Sequence, residues 1–100
     1  MKDATLGGYV GEHERPPSFE GRDGGSYTVE LMAEPEGGGT AEAGPWRAYL
    51  LFVRWRGTEP VGHLESGYLS EGTSEREVRE AVERMTLHAV KALLDDLISE

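Results

Sequence analysis

From Trp46 to Arg56 the chain reads Trp-Arg-Ala-Tyr-Leu-Leu-Phe-Val-Arg-Trp-Arg. Ala48, Leu50 and Phe52 fall on one alternating set, and Tyr49, Leu51, Val53 and Trp55 on the other. Aromatic and β-branched residues at period two fit a pleated strand. A strand that is apolar on both sets is expected at the centre of a sheet, covered on both faces. The chain has no cysteine, so a sheet built around this strand must hold by packing, without disulfides or thiolate metal sites.

The neighbouring segments supply partners for it. Ser26 to Ala33 alternates, with Tyr27, Val29, Leu31 and Ala33 on one side and Thr28, Glu30 and Met32 on the other, as a strand with one buried face does. The Gly-rich stretch Glu34 to Pro45 breaks the pattern and reads as a long, mobile hairpin loop. Beyond Trp46–Arg56, Gly57-Thr58-Glu59-Pro60 turns the chain. Val61 to Leu69 is then a third strand, weakened by Gly62 and Gly67 and bulged or ending near Ser66-Gly67.

Ser74-Glu75-Arg76-Glu77 is a capping box, so a helix is expected to start there. Val78, Ala81, Val82 and Met85 mark its apolar stripe, whereas Leu87, Val90, Leu94 and Ile98 follow a rotated one. Two outcomes fit: one helix with a widened buried face, or a break near Thr86 with Thr86 capping a second helix. Residues 1–25, with six glycines and the Pro16-Pro17 pair, read as an N-terminal arm. The expected fold is therefore α+β: a three-stranded antiparallel β-meander followed by a C-terminal helix, in one β-β-β-α domain over 26–100. Its expected core is Tyr27, Val29, Leu31, Leu50, Phe52, Leu64, Val78, Val82, Met85 and Leu93.

The 100 residues carry a formal net charge of −9. A field of that sign repels phosphate backbones and steers basic proteins inward. The opening residues lack an apolar core of signal-peptide type, and nowhere do about 18 apolar residues run together, so neither a signal peptide nor a membrane span is expected. A reducing cytoplasm is the expected compartment. Asn and Gln are absent and Arg outnumbers Lys, which fits a high-GC genome or a thermophile.

Chemistry-bearing residues are sparse. His13 between Glu12 and Glu14, with His63 and Glu65 on one strand face, could be drawn as an oxygen-and-imidazole metal site, but no zinc-type spacing enforces it. No metal or cofactor is expected. Six serines lack a G-x-S-x-G elbow, and Asp95-Asp96 point in different directions on a helix, so no residue is assigned as catalytic. Trp46, Tyr49, Arg54 and Arg56 could stack on and neutralise single-stranded RNA from the sheet. Leu87, Leu94 and Ile98 could instead form an apolar band for a second copy or a partner.

The stretch Glu65-Ser66-Gly67-Tyr68-Leu69-Ser70-Glu71-Gly72-Thr73-Ser74-Glu75-Arg76-Glu77-Val78 resembles the signature of the HicB-type antitoxin family. In that family a strand, a small-residue turn and a short extended piece lead into a Ser/Thr-capped helix. The likeness runs loosely on through Ala81-Val82 to Leu93-Leu94-Asp95-Asp96-Leu97. The Glu36–Pro45 insertion and the arm have no counterpart, and there is no room for the family's operator-binding module. The resemblance implies a sheet-and-helix domain that binds a partner protein, with no catalytic residue to carry over. The expected function is thus a non-catalytic protein-binding module that self-associates or binds a small basic protein such as a toxin-like ribonuclease. The alternatives are an RNA-contacting sheet and, third, a small metal-dependent hydrolase around His13, His63 and Glu65.

Overall fold

The computed structural model describes residues 4–36 and 45–99. In chain order the elements are α1 (Leu6–His13), β1 (Ser18–Glu20), β2 (Ser26–Pro35), β3 (Trp46–Arg56), β4 (Glu59–Glu65), β5 (Ser70–Gly72), α2 (Glu75–Glu83) and α3 (Leu87–Ile98). The fold is α+β, with the antiparallel meander β2-β3-β4 at its centre and the helical segment after it. Of the Gly-rich hairpin expected over Glu34–Pro45, Glu34 and Pro35 instead extend β2, opposite Arg47 and Trp46, and residues 37–44 lie outside the described residues. Its base is closed by the Glu36 amide donating to the Pro45 carbonyl at 2.8 Å.

β3 is paired along both edges. On one side β2 runs antiparallel to it without interruption, from Ser26 opposite Trp55 to Pro35 opposite Trp46. On the other side three pieces share the work. β4 pairs with Leu51–Arg56, β5 pairs with Trp46–Ala48, and the gap between them is closed by Ser66. The Ser66 amide donates to the Leu50 carbonyl at 2.9 Å, and its Oγ accepts from the Leu50 amide at 2.9 Å. A buried backbone donor left without such a partner costs about 1–3 kcal/mol, which accounts for a polar Ser66 in an otherwise apolar interior.

The β3–β4 hairpin turns on Gly57-Thr58, with Arg56 opposite Glu59, so β4 begins at Glu59 rather than Val61. Gly57 has φ +61, the left-handed first position that a glycine-led two-residue hairpin turn requires. The register then shifts between Arg54 and Trp55, whose partners are Gly62 and Pro60, so Val61 is the extra residue of a bulge. The third strand is bulged there and ends before Ser66.

All three helices lie on one face of the sheet. Val29, Leu50 and Phe52 from the strands, Leu6 from α1, Val78 and Val82 from α2, and Val90 and Leu94 from α3 form one buried cluster with Tyr27 and Ala48. Leu31, Leu64, Met85 and Leu93 pack against it partly exposed. The expected core is present, extended by Leu6, Ala48, Val90 and Leu94.

The helical segment breaks at Thr86. Thr86 Oγ1 accepts from the Ala89 amide at 3.0 Å and caps α3, which rotates the second apolar stripe back onto the core. The break is stitched to the chain start by a β-bridge between Thr5 and Thr86. The Leu6 amide also donates to the Met85 carbonyl, and the Leu87 amide to the Ala4 carbonyl, both at 2.8 Å. This corrects two expectations. Leu94 is 0 % exposed, and Leu87 and Ile98 are partly buried against the same core, so the three do not make a partner surface. The opening residues are not only an arm: they supply α1, the edge strand β1 and the buried Leu6.

The start of α2 departs from the expected box in one detail. Ser74 Oγ accepts from the Glu77 amide at 3.1 Å, but the Glu77 carboxylate reaches past the cap to the Thr73 amide at 3.1 Å. At the other end of the sheet, Asp95 of α3 pins the β1–β2 turn by accepting from the Arg22 amide at 2.9 Å. Its ion pair with Lys91, followed by that amide, holds the Asp95 carboxyl below its ordinary 3.8.

Two stability predictions follow from this packing. Leu94→Ala empties a fully enclosed site and lowers the unfolding free energy by about 2–5 kcal/mol, read by urea denaturation; a change near zero would return Leu94 to the surface. Asp95→Asn is less stable than the wild type at neutral pH. Because the folded-state pKa of Asp95 is depressed, its contribution is present above 3.8 and is lost as pH falls through the lower folded value. The two melting curves therefore converge on acidification below that point, and a gap that is independent of pH would show that the carboxylate is not responsible.

Candidate functional site

The second face of the sheet carries no helix among the described residues. Cross-strand register places its side chains in rows. Thr28, Val53 and His63 form one row, Glu30, Leu51 and Glu65 the next, and Met32 and Tyr49 a third. Glu34, Arg47 and Glu71 lie beyond them, and Trp55 with Pro60 closes the opposite end. An apolar strip of Trp55, Val53, Leu51 and Tyr49 thus runs along β3, and each of these residues is half-buried. The expectation that β3 is covered on both faces is corrected: its Ala48-Leu50-Phe52 set lies under the helices, and its other set lies open.

Local contacts hold the strip flat. Trp55 Nε1 donates to Thr28 Oγ1 at 2.9 Å, laying the indole across the strands. The strip is flanked on β2 and β4 by Glu30 and Glu65, directly opposite Leu51. Among the described residues neither carboxylate has an ion-pair partner; the acids that do are Asp23, Glu34, Glu75, Glu80 and Asp95.

At the β5 end the chain crosses from β4 to β5 through Ser66–Leu69, and Tyr68 leans back over the face. Tyr68 and Tyr49 meet nearly edge to face, with ring centroids 5.9 Å apart and planes at 81°. The Arg47 guanidinium lies 4.0 Å from the Tyr68 ring centroid, an attraction between a cation and the ring's negative face. Its Nε is buried without a hydrogen-bond partner. Tyr68 donates its hydroxyl to Glu34 Oε1 at 2.7 Å, and Arg47 stands 3.9 Å from the same oxygen. A cleft opens here, lined by Glu34, Tyr49, Glu65, Ser66, Gly67 and Tyr68. The Glu34 hydrogen bond, followed by burial, pushes the Tyr68 phenol up. Tyr49 is pushed up by burial and then by the negative charge of Glu65 and Glu34.

The structure divides the residues singled out by sequence. His63 and Glu65 stand on the open face, whereas His13 ends α1 in the helical layer, stacked on Tyr9 with centroids 4.2 Å apart. The proposed metal trio is therefore not assembled, and among the described residues no group of three ligating side chains could hold a metal ion. The RNA quartet is split as well. Tyr49 is on the open face, while Trp46, Arg54 and Arg56 belong to the alternate set, with Trp46 packed against the core and Arg54 within 3.8 Å of Asp23. Tyr68, Met32 and Glu34 were not singled out. Met32 falls on the non-core set of its strand and was open to detection by pairing that set across β3, whereas Tyr68 lies in a crossing that no periodicity describes.

What the geometry defines is a two-layer α+β domain with three helices behind an antiparallel sheet and an open aromatic face in front. Searches with the chain found no matching family model, curated protein or solved structure. No helix among the described residues is long and apolar enough to cross a membrane.

Glu34→Gln removes the acceptor that raises the Tyr68 phenol, so Tyr68 should ionise closer to its ordinary value, read by phenolate absorbance against pH. An unchanged titration would mean that the Tyr68–Glu34 bond is not formed in solution.

Proposed function

We propose that this domain is a non-catalytic protein-binding module, and that the open face of its sheet docks a basic partner protein. The observation that carries the reading is the row Glu30–Leu51–Glu65. It sets an apolar strip between two carboxylates that no described residue neutralises. Large apolar side chains held at a surface favour contact with another apolar surface, and a charged rim selects which one. The net charge of −9 adds long-range attraction for a cationic partner.

A second copy of the chain is the weaker occupant. Face-to-face packing about a two-fold axis presents the same patch twice, which would bring Glu30 and Glu65 of one copy against those of the other. Opposed like charges in a desolvated contact cost several kcal/mol. A partner with apolar residues flanked by Lys or Arg meets no such penalty. Single-stranded RNA is weaker again, because the rim is acidic.

The resemblance of residues 65–78 to HicB-type antitoxins supports the same class of function, since it implies partner binding without catalysis. The partner type it suggests, a small basic ribonuclease-like toxin, has the charge that this face requires. A cysteine-free chain fits a cytoplasmic setting for that pairing.

Leu51→Lys tests the reading with little risk to the fold, because a lysine between Glu30 and Glu65 gains favourable cross-strand pairs while placing a positive charge at the centre of the apolar strip. Wild type and L51K are used as paired baits in ribonuclease-treated native extract. Any protein that distinguishes them is purified and titrated back at two salt concentrations. The expected result is a basic protein whose affinity falls at least about tenfold with L51K and weakens with salt. Baits that capture the same proteins with the same affinity would remove the open face as the docking site.

A further inference from the structure

The cleft at the β5 end of the open face has a composition that the rest of the face lacks. Two tyrosine rings set at 81° form a corner, and Glu34 and Glu65 supply carboxylates on its walls. Ser66 and Gly67 also line it, and their backbone is fixed. Ser66 is tied to Leu50 through both amide and hydroxyl and donates that hydroxyl to the Gly67 carbonyl at 2.7 Å. The Leu69 amide is tied to the Ala48 carbonyl at 2.8 Å. Tyr68 is thus held between two anchored points, and the cleft is preorganised.

The charges around it do not balance. Glu34 and Glu71 flank Arg47 across the strands and Glu65 stands two rows away, so this end of the face carries three carboxylates against one guanidinium. The corner already shows the chemistry that would correct this, because Arg47 stacks on Tyr68 beside Glu34. The Glu65 side of the same corner has aromatic surface and a carboxylate but no cation among the described residues.

We propose that this cleft receives one basic side chain of the docked partner, an arginine in preference to a lysine. A guanidinium can lie against an aromatic ring while its fork of N–H donors meets a carboxylate, whereas an ammonium is a compact, strongly hydrated point charge. The partner's arginine stacks in the Tyr49–Tyr68 corner and donates to Glu65, bringing the local charge closer to balance. This occupant deepens the docking reading and rests on it: the apolar strip supplies contact area, and the corner fixes register and partner identity.

The test needs no partner in hand. N-acetyl-arginine-amide is titrated into the folded domain and followed by backbone amide NMR, with the citrulline analogue, which is similar in shape but uncharged, as control. The expected result is saturable shifts confined to the residues around Ser66, Gly67 and Tyr68, with the citrulline analogue weaker by about tenfold or more. Glu65→Gln should weaken the arginine probe about fivefold or more. Gly67→Val adds bulk to the cleft lining without a clash at its Cβ, which meets nothing within 4 Å, and should weaken the probe. The inference is overturned if the citrulline analogue binds equally, if the shifts spread over the acidic surface, or if E65Q and G67V leave the affinity unchanged. A face that loses its partner with L51K but shows no arginine site removes only the corner assignment. An arginine site on a face indifferent to L51K leaves the corner as a cation pocket and removes the docking reading.

Discussion

β3 is the strand on which every other element depends, because its backbone is satisfied along both edges. A central strand with an unpaired stretch would bury amides and carbonyls without partners, at a cost that a domain of this size cannot absorb repeatedly. The β2 edge is regular. The opposite edge is discontinuous, and the Ser66 hydroxyl makes it complete by standing in for a strand at Leu50. That substitution lets the chain leave β4, bow out at Gly67-Tyr68 and rejoin the same edge of β3 as β5. The crossing is also what delivers Tyr68 beside Tyr49. One polar side chain in the interior thus couples the integrity of the sheet to the shape of the cleft.

The described helices take one side of the sheet because they share one core with it. A domain of about 100 residues buries roughly 65% of its unfolded surface and can enclose only one core. α2 and α3 are both short, and each contributes two fully buried residues to the same face. α1 would be a poor helix in isolation, since Gly7, Gly8 and Gly11 each cost up to about 1 kcal/mol relative to alanine. It forms because Leu6 is buried and the backbone at residues 4–6 pairs with the break around Thr86. Among the described residues no helix covers the other set of β3, so the aromatic strip lies at the surface.

This explains which parts of the fold were legible in the sequence. The strand pair β2 and β3, the cap at Ser74 and the cap at Thr86 rest on local chemistry with a fixed period, and a reader of the sequence can find them. α1 and β1 rest on tertiary contacts that override a glycine-rich composition, so their signal is not local. The second apolar stripe of Leu87, Leu94 and Ile98 could fill a core or face a partner, and only the turn at Thr86 decides between them. The open strip is the same ambiguity in reverse. A strand covered on both faces and a strand with one docking face carry the same alternation, and what separates them is a count of the elements available to cover each side. The candidate site was therefore visible as a pattern and invisible as a site.

On the docking reading, the same carboxylates act on the free and the bound molecule. Glu30 and Glu65 would oppose stacking of the aromatic strip on another copy of itself, the role charged side chains commonly play on exposed sheets. Approach to the sheet edge is hindered independently, since β4 carries Pro60, Gly62 and a bulge, each of which degrades an edge as a template for added strands. Edge addition at β4 is thus disfavoured, leaving the face as the exposed apolar surface on this side of the sheet. In the proposed complex these carboxylates would accept charge-assisted hydrogen bonds, so the discrimination against like surfaces and the attraction to a basic one would come from the same atoms. Specificity of this kind needs no catalytic group and no large interface. It needs a rigid face, which β3 provides, and an uncompensated charge at a fixed place beside it, which Glu65 provides.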